Sequence, residues 1–358
     1  MTLPQRRILI TGRAKHFKMR KGFFTALFLL LWLGLCACQR AATPGTKAFM
    51  HTEQATKTEQ AVTDLNYFDE NSTVGDVISD AAFGDFGRLL FPVDRAVSED
   101  MTLKEVSSSS VYVWYSEIKA DKTVEIVNYL KKQVNSGEQI YYPIYSGAEI
   151  KADKTKADTG LFFFKGNADE KFAVVNAGGG FMYVGAMHDS FPQALELSKM
   201  GYNAFALIYR VDNAYEDLAK AIEFIEDNAS ILGVDKNNYS LWGGSAGARM
   251  AAVLGNADYL YRFTGNTDIP QASAVIMQYT GYNYASKNDA PTYACVGTND
   301  GIANWRTMQS RLNMLESYGI PAEFHTYKGL YHGFGLGTDT VADGWMKDAV
   351  NFWEDNSQ

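Results

Sequence analysis

Beyond its opening stretch the chain is short of positive charge. Seven Lys and Arg precede position 38 with no Asp or Glu among them; the remainder carries 26 Lys and Arg against 41 Asp and Glu, a net of −15. Such a surface disfavours nucleic acid and anionic lipid headgroups as partners. Long apolar runs are missing too. The longest, 23–37, has fifteen residues, fewer than the roughly 20 that a helix needs to cross a bilayer. Cysteine and histidine are scarce, at three and five residues, which narrows the candidates for any thiol or imidazole chemistry. Aromatics are plentiful instead: 21 Tyr and 21 Phe in 358 residues argue against disorder and for one large core or two modest ones.

The cationic start followed by a fifteen-residue apolar run reads as a secretory signal over residues 1–37. Met19-Arg20-Lys21 makes a normal start, which leaves 1–18 as a candidate mis-called extension. The run closes on Leu35-Cys36-Ala37-Cys38, which resembles a bacterial lipobox, with a small residue just before the cysteine. The resemblance implies cleavage at Cys38, its lipidation, and an envelope-anchored protein; a soluble secreted or periplasmic protein is the alternative. With Cys38 acylated, only Cys295 is left, and no intramolecular disulfide framework can form. Cys295 lies in the apolar run 291–297 and reads as an inert core thiol. Residues 38–65, rich in Thr, Ala, Gln and Lys, read as a flexible tether.

From 66 to 137 the composition turns globular without a chemical motif, giving an N-terminal accessory segment expected to pack on the core formed by residues 138–358. Val111–Tyr115 looks strand-like, and Val124, Val127, Leu130 and Val134 predict a helix stopped by Gly137. Glu-Ile-Lys-Ala-Asp-Lys-Thr occurs at both 117–123 and 149–155 with unrelated flanks, too little for a repeat architecture. From 138 to 358 strand candidates recur at 139–145, 160–165, 172–176, 204–209, 239–242, 274–279, 292–296 and 323–327. Amphipathic helices separate the later ones. One is expected to be capped by Asp189/Ser190, with Pro192 in its first turn; others carry Leu218/Ala221/Ile222/Ile225, Met308/Leu312/Leu315 and Trp345/Ala349/Trp353. That alternation predicts the α/β class: a mostly parallel sheet with helices on both faces and an antiparallel edge.

One stretch carries chemistry. In Leu241-Trp242-Gly243-Gly244-Ser245-Ala246-Gly247-Ala248, an apolar strand stops at two glycines and a small-residue helix follows. The G-x-S-x-G pattern places a serine at a sharp strand-to-helix turn, where backbone from both arms passes close. A serine nucleophile needs a base, and the base an orienting acid. His16 and His51 fall in the leader and tether, His325 inside a strand, and His188 beside a glycine-rich loop where it could line a pocket. His332, in Gly329-Leu330-Tyr331-His332-Gly333-Phe334, follows the last strand. Asp300 follows the strand before it, whereas Asp289 reads as a turn cap. Ser245, Asp300 and His332 therefore stand in chain order at successive strand ends. Three glycines after a buried strand, Gly178-Gly179-Gly180, let backbone N–H groups converge on one point; the loop lacks the Lys-Ser/Thr of a phosphate-binding loop.

From about Gly160 onward these motifs resemble α/β-hydrolase esterases, most nearly the bacterial feruloyl/acetyl-xylan type and the hormone-sensitive-lipase-like esterases. The residues that carry the likeness are Gly178-Gly179-Gly180-Phe181, Gly243-Gly244-Ser245-Ala246-Gly247, Asp300 and His332-Gly333-Phe334. The resemblance implies Ser245 as nucleophile, His332 as base, Asp300 as its orienting acid, and Gly179, Gly180 and Ala246 as oxyanion donors. It implies carboxylic-ester hydrolysis of a small-molecule or polysaccharide ester, with no metal or organic cofactor. Ala177 departs from the pattern, since many lipases have His there. The segment between Tyr279 and Pro291 is too short for the large cap often inserted at that point. A prolyl-oligopeptidase-like serine peptidase ranks second, because no propeller-sized segment precedes the triad. A non-catalytic glycan-binding lipoprotein ranks third, because no triad member is lost.

Intact-mass measurement of the membrane fraction is expected to give a chain beginning at acylated Cys38. Unmodified Cys38 in that fraction would rule out lipidation.

Overall fold

A computed structural model describes residues 67–357. The leader over 1–37, Cys38 and the tether over 38–65 lie outside the described residues. Eight strands form one sheet: β1 (Tyr141–Pro143), β2 (Gly160–Phe164), β3 (Lys171–Asn176), β4 (Asn203–Ile208), β5 (Asp235–Gly244), β6 (Ala274–Gln278), β7 (Thr292–Gly297) and β8 (Ala322–Tyr327). Their spatial order is β1-β2-β4-β3-β5-β6-β7-β8. β1 and β2 run antiparallel to their neighbours, and every later pairing is parallel. All eight expected strands exist. The first shrinks to the three residues that pair with β2, and the fifth grows to ten at the centre of the sheet.

Every residue of β2, β3, β4, β6 and β7 is buried. Successive strand residues point to opposite faces, so helices must cover both. The helices that do so are Phe191–Lys199, Ala214–Leu232, Ala246–Leu254, Trp305–Ser317 and Trp345–Asp355. Ala214–Leu232 buries Leu218, Ala221, Ile222, Ile225 and Ala229, the expected stripe. Each large aliphatic side chain so buried stabilises by roughly 1.5–3 kcal/mol.

Residues 67–137 fold onto the same core through Phe68, Val77, Phe83, Leu90, Val106 and Tyr112. The expected helix spans Ala120–Asn135 and buries Ile126, Val127 and Leu130. Val111–Tyr115 is a turn rather than a strand, with Trp114 at φ 78°. Its rings find partners in the segment after β3: Tyr112 lies edge-on to His188 at 4.1 Å and Trp114 stacks on Tyr183 at 6.0 Å. The repeated heptapeptide takes two conformations. At 117–123 it leads into a sixteen-residue helix, while at 149–155 Glu149 closes a capping box with Ser146 and the helix ends at Ala152.

A buried carboxylate ties the end of β4 to the chain before β2. Asp217 accepts from the Tyr145 hydroxyl at 2.6 Å, the Arg210 amide at 2.7 Å and the Arg210 guanidinium at 2.6 Å. Asp217→Ala leaves the Tyr145 hydroxyl and the Arg210 amide without this acceptor and the guanidinium with Asp153 as its remaining acidic partner, at 3.1 Å, a loss of about 1–3 kcal/mol. Equilibrium denaturation should read it, and a change under about 1 kcal/mol would mean the pair is not structural.

Candidate active site

β5 ends at Gly244 and the next helix starts at Ala246, which leaves Ser245 alone at φ 51°, ψ −113°. A non-glycine residue there is strained. The turn is held from several sides. The Ser245 amide donates to the carbonyl of Gln278 at the end of β6, at 2.9 Å. The helix lies so close to β3 that a Cβ on Gly247 would run into the carbonyl of Asn176.

His332 joins Ser245 to Asp300. Its Nε2 lies 3.0 Å from Ser245 Oγ and its Nδ1 lies 2.7 Å from Asp300 Oδ2. A carboxylate only accepts, so Nδ1 carries the proton and the Nε2 lone pair faces the hydroxyl. The other Asp300 oxygen accepts from the amides of Ile302 at 2.8 Å and Ala303 at 2.7 Å. The acid is thereby oriented before it meets the imidazole. Tyr279 packs edge-on against the His332 ring at 5.0 Å. Beyond it, Gly335 offers its carbonyl to Gln278 Nε2 at 2.9 Å and Trp345 Nε1 at 3.2 Å, which fixes the histidine loop.

The glycine loop follows β3. Ala177, where many lipases have His, is buried, and its carbonyl accepts from the Tyr209 hydroxyl at 2.8 Å. The Gly178 amide donates to Asp189 Oδ2 at 2.7 Å. Gly179 and Gly180 adopt φ 122° and 64°. Among the described residues the amides of Gly179, Gly180 and Ala246 donate to no protein acceptor.

The remaining candidates fall elsewhere. His188 is buried, and loss of solvation lowers its pKa to about 3. It lines a cavity of about 40 Å³ together with Ser116 and Gly335. His325, half-buried in β8, contacts Glu323 at 2.5 Å and stacks on Tyr293. Asp289 accepts from the Ser286 amide at 3.1 Å, the expected turn cap, and also pairs with buried Arg311 at 3.2 Å. Cys295 is buried, and burial pushes its thiol well above the ordinary value.

Asp189 does not cap the helix at Phe191; Ser190 occupies that position without a side-chain bond to the helix amides. The Asp189 carboxylate turns inward and accepts from Gly178, from the Tyr115 hydroxyl at 3.1 Å and from the Tyr279 hydroxyl at 2.5 Å. Burial raises its pKa to about 6, against these hydrogen bonds, which lower it. The available sequence signal was an acid, next to His188, in an otherwise apolar stretch shortly after the glycine loop.

The BD-FAE family model matches residues 161–279, a span with the glycine loop and Ser245 but neither Asp300 nor His332. Among solved structures, an acetyl ester-xyloside bifunctional hydrolase from Caldicellulosiruptor lactoaceticus is similar at 20% identity and a TM-score of 0.51, over 60% of this chain and 95% of that one. A thermophilic esterase from Thermogutta terrifontis, solved with propionate bound, is similar at 22% identity and a TM-score of 0.50, over 56% of this chain and 90% of that one. No curated protein matches. Taken with the strand order and the serine turn, these likenesses establish that the chain has the α/β-hydrolase fold.

Proposed function

We propose that this protein is a serine esterase that hydrolyses carboxylic esters through an acyl-enzyme. The observation that carries the reading is the Ser245–His332–Asp300 relay beside the glycine loop, with the amides of Gly179, Gly180 and Ala246 donating to no acceptor among the described residues. Ser245 Oγ attacks the ester carbonyl carbon as its proton passes to His332 Nε2. The carbonyl electron pair moves onto oxygen, and the amides bind the resulting oxyanion, each donor being worth roughly 3–4 kcal/mol. Collapse breaks the bond to the alcohol oxygen, which takes the proton from His332 and leaves. Water then attacks the acyl-serine by the same proton route and releases the acid. Asp300 stays ionised, holding the imidazole tautomer and stabilising the cation.

The substrate we favour is an acetyl or feruloyl ester carried on carbohydrate. In support, the similar Caldicellulosiruptor lactoaceticus protein is an acetyl ester-xyloside hydrolase, and the similar Thermogutta terrifontis esterase holds propionate. Exposed Trp114 lies against Gly180, and exposed Tyr331 precedes His332, offering apolar faces of the kind that sugar or acyl groups cover. Anchoring through lipidated Cys38 would hold this activity at the cell envelope.

Ser245→Ala should abolish turnover of p-nitrophenyl acetate while circular dichroism stays unchanged; near-normal turnover would remove the mechanism. Asp300→Asn preserves shape but favours the wrong imidazole tautomer, so kcat should fall by about 10⁴-fold. Acetate release from acetylated xylan, measured against short aliphatic esters, tests the substrate class; activity on the aliphatic esters alone would reject it.

A further inference from the structure

Asp189 is a buried carboxylate that the relay does not use. Its hydrogen-bond partners among the described residues are all neutral: the Gly178 amide and the hydroxyls of Tyr115 and Tyr279. A buried charge with no cationic partner is costly, and an apolar side chain could fill the space with less penalty. Its neighbours suggest what the charge is for. A Cβ on Gly178 would lie 2.7 Å from Asp189 Oδ2, 2.9 Å from the Gly244 carbonyl and 2.9 Å from Ser245 Cβ. A Cβ on Gly244 would collide with the same carboxylate. The Asp189 side chain is therefore wedged between the glycine loop and the serine turn, the two segments whose amides must converge on one oxygen.

Two further arms leave this carboxylate. Tyr279 donates to Oδ1, accepts from the Gly335 amide at 3.3 Å and lays its ring against His332. Tyr115, from the N-terminal section, donates to Oδ2, and the adjacent Ser116 amide donates to the Gly333 carbonyl at 3.0 Å. One acceptor thus joins the glycine loop, the histidine loop and the N-terminal section.

We infer that Asp189 is a positioning residue for the reaction at Ser245. By holding the Gly178 amide it sets where the Gly179 and Gly180 amides point, and through Tyr279 it sets the face of His332. This rests on the esterase reading. A carboxylate can accept all three hydrogen bonds, whereas a side-chain amide presents a donor in place of one oxygen and must turn it toward a hydroxyl or the Gly178 amide. Small displacements of oxyanion donors cost catalysis rather than binding, because the oxyanion exists only along the reaction path.

The test is steady-state kinetics of the full chain on p-nitrophenyl acetate, with active sites counted by a fluorophosphonate probe. Asp189→Asn should lower kcat per labelled site by about 10–100-fold and leave KM within about twofold. Tyr115→Phe and Tyr279→Phe, which each delete one donor, should lower kcat about 3–10-fold. Combined with Asp189→Asn, they should add little, since the carboxylate they act through is gone. A kcat for Asp189→Asn within threefold of the parent, or a loss confined to KM, overturns the inference. Should that variant fail to fold, unchanged kcat in both folded Tyr→Phe variants overturns it equally. A wild-type chain that labels with the probe yet turns over no ester overturns the esterase reading instead, and this inference with it.

Discussion

The backbone at Ser245 is the constraint on which the rest depends. A non-glycine residue at φ 51° costs about 1–3 kcal/mol and persists only where its surroundings leave it no alternative. Here the strand before it is locked between β3 and β6, and the helix after it is pressed against the end of β3. Gln278 performs two of these restraints at once. Its carbonyl receives the Ser245 amide while its side-chain amide holds the Gly335 carbonyl. The residue that pins the serine therefore also pins the loop that presents His332, and these two side chains share a support at the end of β6.

The walls of the site have a less usual origin. The segment between β6 and β7 contains no helix or strand and is held down by the bonds of Asn256 to Ser286 and Asp289. Residues 113–116 come from the opposite end of the chain and touch both sides of the site. The Val113 carbonyl accepts from the Tyr183 hydroxyl at 2.6 Å, Trp114 borders Gly180, and the Ser116 amide reaches Gly333. A section without chemical motifs thus contributes shape where residues with motifs contribute reactivity.

That division explains what could be read from the sequence. Strands and helices are written in short-range periodicity, so the existence of the eight strands and the stripe of Ala214–Leu232 was legible, though the bounds of β1 and β5 were not. Ser245, Asp300 and His332 were legible because each follows a strand and has a glycine beside it. Val111–Tyr115 misled because its pattern fits a strand, and nothing local reveals that its aromatic partners, His188 and Tyr183, lie about seventy residues away. Asp189 misled for a similar reason. Next to Ser190 and Pro192 it has the local appearance of a helix cap, and only the fold brings Gly178 and Tyr279 to it. The twice-used heptapeptide makes the same point, since identical residues start a long helix at one site and end a short one at the other.

Three aspartates with buried side chains show how surroundings divide one side-chain chemistry into separate tasks. Asp217 faces a guanidinium, and the pair fastens β4 to the chain before β2. Asp300 divides its oxygens between two backbone amides and one imidazole, so its orientation is settled by the loop and its charge is aimed at His332. Asp189 accepts hydrogen bonds from neutral donors, and burial raises its pKa to about 6, against those bonds and the nearby His332. Such a group is a poor choice for stability, because its charged form is penalised in the folded state and the penalty grows as pH rises from the unfolded value of 3.8 through about 6. Its retention at the junction of three loops is easier to understand from geometry. No apolar residue can accept the Gly178 amide, and without an acceptor there the glycine loop would be free to turn its remaining amides away from Ser245.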